Sequence, residues 1–96
     1  MSTFKLVIST PDGNMFSDNV IGFSVRGSEG DLAILAGHIP FITSVKPCEC
    51  VIRLTDSTEK RGTTEGGLLT VTDKETTFMS GTFIFSSSAM VGLAGN

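Results

Sequence analysis

The stretch Val20–Gly27, "VIGFSVRG", sets Ile21, Phe23 and Val25 on one side of an extended chain and Gly22, Ser24 and Arg26 on the other. That is a period of two, the mark of a strand with one wet face. The same period runs outward in both directions. In "FKLVIST" (Phe4–Thr10), Phe4, Leu6 and Ile8 share a face, and "PDGN" (Pro11–Asn14) follows as a turn. There proline presets φ and Asp-Gly supplies a positive φ. "LAIL" (Leu32–Leu35) lies between glycines and is too short for a helix. "FITSVK" (Phe41–Lys46) and "CVIRLT" (Cys50–Thr55) are β-rich runs separated at Pro47, and "DSTEK" (Asp56–Lys60) reads as a hairpin loop. "GLLTVT" (Gly67–Thr72) and "TTFMSG" (Thr76–Gly81) flank a further turn, and "TFIFSS" (Thr82–Ser87) reads as a last strand. Turn signals recur every ~8–12 residues and no helical period appears up to Phe85, which predicts an all-β sandwich of two mostly antiparallel sheets. The expected core is Phe4, Leu6, Ile8, Phe23, Val25, Leu54, Leu69, Val71, Phe78 and Phe83.

Ninety-six residues predict one domain, with the sandwich over 1–85 and a tail over 86–96 that is disordered or begins a helix. Seven Lys and Arg are scattered through a chain of net charge -3. That speaks against tracking a phosphate backbone, so nucleic acid is excluded as a partner. No segment reaches the roughly 20 apolar residues of a membrane helix. The start, "MSTFKLVISTPDG", has too short an apolar run for a signal sequence. A mean hydropathy of +0.24 leaves room for an exposed apolar contact patch. Cys48 and Cys50 would share one strand face but stand too far apart to bridge easily.

The richest turn chemistry lies in "GSEGDLAILAGHIP" (Gly27–Pro40), which also holds the only histidine, His38. A thiol enzyme could pair His38 with Cys48 or Cys50, but Cys50 opens a strand and Cys48 follows a turn at Pro47. A zinc site could recruit the same three residues and an acid, yet their spacing matches no usual closed site. "GSEG" lacks the Gly-Lys-Ser/Thr ending of a phosphate loop and any helix after it. Glu29 and Asp31 read as a solvated turn more readily than as an acid–base pair. Gly27 and Gly30 allow a tight reversal with Ser28, Glu29 and Asp31 pointing out from it. His38 sits on a corner stiffened by Pro40, either as a turn residue bonding nearby backbone or as a contact.

The segment "GSEGDLAILAGHIPFITSVKPC" resembles the signature G-[ST]-E-G-x-x-G-[IV]-L-P-G-H-x-P-x-[IL]-T-x-[LIV]-x-P-G of the epsilon subunit of F-type ATP synthases, the homologue of the mitochondrial delta subunit. "LVISTPDGNMFS", "VIGFSVRGSEG" and "EGGLLTVTDKETTFMSG" resemble the family's flanking segments in the same order, so the likeness spans Phe4 to Gly81. Ala33, Ala36 and Cys48 depart from the usual Gly, Pro and Gly.

The resemblance implies about ten short strands and a non-catalytic coupler in the central stalk, binding the gamma subunit and resting on the ring of c subunits. The catalytic head would be an indirect partner, and the location peripheral, on the cytoplasmic side of a bacterial inner membrane or the stromal side of a thylakoid. Carried over by position, Ser28, Glu29, Gly30 and Asp31 face the c ring, while Thr10, His38 and Thr43 face gamma. No catalytic, cofactor or metal residue is implied. The family usually continues into two C-terminal helices, which this sequence lacks; it is read as a shortened or a naturally short form. The competing readings are a free-standing β-sandwich that binds a small ligand or peptide, and the thiol or metal enzyme above.

Overall fold

The computed structural model describes residues 2–37, 39–55 and 57–86. Its strands are β1 (Phe4–Thr10), β2 (Gly13–Val20), β3 (Gly22–Gly27), β4 (Gly30–Leu35), β5 (Phe41–Val45), β6 (Cys48–Thr55), β7 (Thr58–Thr64), β8 (Gly67–Val71), β9 (Glu75–Ser80) and β10 (Phe83–Phe85). Hydrogen bonding runs through the order β10-β7-β6-β3-β5-β8-β9-β1-β2, with β4 paired to β3 off this path. Pairing is antiparallel except between β1 and β9. The all-β sandwich with ten strands is the architecture expected from the alternating pattern and the resemblance.

Alternation does the folding work. Leu6 and Ile8 of β1, Leu69 and Val71 of β8 and Phe78 of β9 face Phe23 and Val25 of β3, Ile34 of β4 and Ile52 of β6, all buried. The rings of Phe23 and Phe78 meet across the core with centroids 5.9 Å apart at 50°. Each such aromatic contact adds ~0.5–1.5 kcal/mol beyond the area it buries. Val20, Ile34, Val45, Cys50 and Ile52 join the expected core, while Phe4 and Leu54 are only half-buried against it.

Four expectations change in detail, the first that β6 opens at Cys48 and not at Cys50. Val20–Gly27 is not one strand: β2 ends at Val20 and a bend at Ile21 precedes β3. Asn14 belongs to β2, whose mostly exposed residues hide their period because β2 lies at the end of the path and pairs only with β1. Thr58–Lys60, taken as loop, opens β7. The polar run "TEKRGTT" buries only Gly62 and Thr64.

The two ends of the path, β2 and β10, meet through side chains. Phe16 and Phe85 lie 6.5 Å apart, and Phe83 stands edge-on to Phe85 at 5.1 Å. The Lys60 ammonium caps the seam, 5.4 Å from the Phe85 ring centre and 6.0 Å from that of Phe16. The core therefore predicts its own weak point. Phe78→Ala should cost ~3–5 kcal/mol and lower the melting temperature by more than about 10 °C. Calorimetry checks this, and a shift of only a few degrees would mean the core collapses around the gap.

Candidate functional site

Register sorts the surface into two unlike faces. On the sheet β5-β8-β9-β1-β2, one row runs Ile42–Thr70–Thr77–Val7–Ser17 and the next runs Ser44–Leu68–Met79–Ser9–Asn14. The row between them, Thr43–Leu69–Phe78–Ile8, points into the core, where its last three residues are completely buried. The two outer rows carry no charged side chain. They hold Ile42 at 66% exposure, Met79 at 57% and Leu68 at 43%. Charge returns only further along, where Lys5 lies opposite Glu75 and Asn19.

The opposite sheet carries Glu49, Arg53, Glu59 and Arg61 outward and paired. Arg61 donates to Glu59 at 2.8 Å and to Glu49 at 3.3 Å. Arg53 lies 4.0 Å from Glu59. Glu59 first, and Glu49 behind it, hold the Arg61 guanidinium more firmly protonated than usual. Arg26 on β3 bonds Asp31 on β4 at 3.0 Å. These pairs are exposed, so each adds ~0–1 kcal/mol to stability. Their effect is to leave this sheet satisfied in water.

A two-residue loop, Ser28–Glu29, joins Gly27 of β3 to Gly30 of β4. Gly30 takes φ 130°, a conformation that favours glycine. Gly27 does not adopt a positive φ; it gives room instead, for a Cβ there would stand 2.8 Å from Leu32 Cδ1. Ser28, Glu29, Gly30 and Asp31 are all exposed. Asp31, however, is held by Arg26.

The residues expected to face gamma are placed differently. Thr10 closes the β1–β2 turn, its Oγ1 accepting from Asp12 N at 3.2 Å. Thr43 sits half-buried on the inward row, so its neighbours Ile42 and Ser44 carry the outer surface. His38 lies outside the described residues. Ile42, Leu68 and Met79 were not singled out from sequence. The available signal was one apolar residue at a wet position of each of β5, β8 and β9, beside Ser44, Thr70 and Thr77.

Cys48 and Cys50 are free thiols. Cys48 is half-buried and its Sγ accepts from Arg26 N at 3.4 Å. Burial first, then the neighbouring Cys48, pushes the Cys50 thiol up to about 12. A depression of about 560 Å³ beside Cys48 is lined in part by Arg26, Asp31, Pro47 and Glu49. Among the described residues, no buried polar side-chain atom lacks a partner and no three His, Cys, Asp or Glu side chains gather as a metal site.

The model of the family described as ATP synthase, Delta/Epsilon chain, beta-sandwich domain matches residues 3–86, and the chain belongs to that family. It is 40% identical over 78 residues to the "ATP synthase epsilon chain, sodium ion specific" of Acetobacterium woodii, covering 81% of this chain and 59% of that one. It is 35% identical over 71 residues to the ATP synthase epsilon chain of Wolbachia pipientis wMel, covering 74% and 62%. The chain thus spans about six-tenths of these relatives' length. Its fold is shared with a chain in the Euglena gracilis mitochondrial ATP synthase OSCP/F1/c-ring structure, with a TM-score of 0.82, 16% identity, and coverage of 98% and 62%. It is shared also with one in the Tetrahymena thermophila central stalk/c-ring structure, with a TM-score of 0.72, 13% identity, and coverage of 86% and 66%.

The thiols give a direct check. Iodoacetamide at mild alkaline pH should label Cys48 in the folded chain and reach Cys50 only after denaturation. The folded Cys50 thiol ionises well above its unfolded value, so its stabilisation is complete below pH ~8.5 and is lost as pH rises from there toward 12. Cys50→Ala should fall less steeply over that window in urea titrations; equal slopes would place the loss elsewhere.

Proposed function

We propose that this domain is a non-catalytic rotor subunit of an F-type ATP synthase, coupling gamma to the c ring. The observation that carries the reading is the neutral, apolar outer face of β5-β8-β9-β1-β2, set beside a sheet whose charges are already paired. An uncharged face loses little polar solvation when covered, and its exposed Ile, Leu and Met gain by it. Gamma is taken to lie on this face and the c ring at the β3–β4 tip, the side of the molecule the resemblance assigns to it. Family membership and the relatives' descriptions support the assignment.

A coupler of this kind works as a rigid body. Torque passes between gamma and the ring only if the tip and the neutral face keep their relation, and close packing around Phe23 and Phe78 resists deformation. The domain then belongs to a membrane-associated complex, on the cytoplasmic side of a bacterial inner membrane or the stromal side of a thylakoid. The coupling ion is read as the proton; the A. woodii relative is described as sodium ion specific.

Ile42→Asp with Met79→Glu should leave the melting temperature within about 3 °C, since both positions are exposed and surface changes cost little. The same double variant should abolish co-elution with gamma on size exclusion. Thr43→Ala should co-elute as wild type. Undiminished gamma binding by the double variant would move the interface off this face.

A further inference from the structure

The sequence suggests a tip with two carboxylates, yet one of them is occupied. Arg26 and Asp31 stand directly opposite in the β3–β4 ladder, and Arg26 Nε donates to Asp31 Oδ1 at 3.0 Å. Glu29 lies in the loop that joins the two strands and has no ion-pair partner among the described residues. The pair is exposed on both sides, 62% for Arg26 and 79% for Asp31, so folding does not depend on it. Its consequence is electrostatic. The hairpin has three charged groups and a net charge of a single carboxylate.

We propose that Arg26 is a specificity-determining residue of the tip: by cancelling Asp31 it leaves Glu29 as the one charge offered to a basic loop of the partner. The inference rests on the reading that this tip meets the c ring. It concerns the ring's chemistry at the contact, one Lys or Arg matched to one carboxylate. Complementary rim charges tune selectivity and encounter more than they add raw affinity. A tip of net charge minus one favours a loop with one cation, and a dianionic tip would favour denser positive charge. Lys46 and Glu65, in the loops before β6 and β8, bring opposite charges that stay constant through the test below.

The test uses the chain in complex with gamma, titrated with detergent-solubilised c ring at low and at physiological salt. Thermal melts first establish that R26Q, D31N, E29Q and R26Q/D31N are folded. E29Q should weaken binding by up to about fivefold and flatten its salt dependence. R26Q frees Asp31 and should tighten binding and steepen the salt dependence. D31N frees Arg26 and should weaken binding, and R26Q/D31N should return to the wild-type value. The inference fails if R26Q binds unchanged or more weakly, or if D31N is neutral. A wild-type complex that does not bind the ring would instead sink the underlying reading, and this inference with it.

Discussion

The structure turns on a change of neighbour in β3. Its first half, Gly22–Ser24, pairs with Val51–Arg53 of β6, and its last residue, Gly27, pairs with Val45 of β5. Lys46 N donates to Arg26 O at 2.9 Å and Ser28 N to Ser44 O at 3.2 Å, carrying the junction into the hairpin loop. Between the two partners Arg26 N would have no ladder acceptor, and the Cys48 sulfur takes its place at 3.4 Å. This short join links the two halves of the hydrogen-bonded path. It also roots the β3–β4 tip against β5, the strand that bears Ile42.

Because of that join, the two surfaces proposed to meet different partners share a backbone scaffold. The neutral rows begin on β5, one hydrogen-bonded strand from the base of the tip. A hairpin anchored by side chains alone would swing; this one is anchored through β3 by backbone bonds to β5 and β6. The same junction separates the chemistry of the two sheets, with ion pairs on the β6–β7 side and none on the outer rows of β5, β8 and β9. The Cys48 thiol at this position replaces the glycine usual in the resembling signature. Its acceptor role at Arg26 N gives that departure a structural reason.

Much of this was legible in the sequence because burial leaves a period-two trace. Leu6, Ile8, Phe23, Val25, Leu69, Val71, Phe78 and Phe83 are core residues in pattern and in space. The trace fades where a strand lies at the rim. β2 pairs only with β1 and leaves most of its side chains in water, so "GNMFSDNV" carries no alternation to read. β7 is buried through Gly62 and Thr64, residues that do not register as apolar. The tip was legible as turn chemistry, but Asp31 could be seen as neutralised only once β3 and β4 were in register. Thr43 likewise could be placed on the inward row only once Leu69 and Phe78 stood beside it in register.

The central claim is that the uncharged face, and not the ion-paired one, receives gamma. Methyl-resolved NMR of the chain titrated with gamma tests it most directly, since both faces carry probes: exposed Ile42, Leu68 and Met79 on one, half-buried Val51 and exposed Ile84 on the other. The account predicts shifts or broadening of the Ile42, Leu68 and Met79 methyls, with Val51 and Ile84 unmoved. Perturbation of Val51 and Ile84 with Ile42 and Met79 unchanged would contradict it.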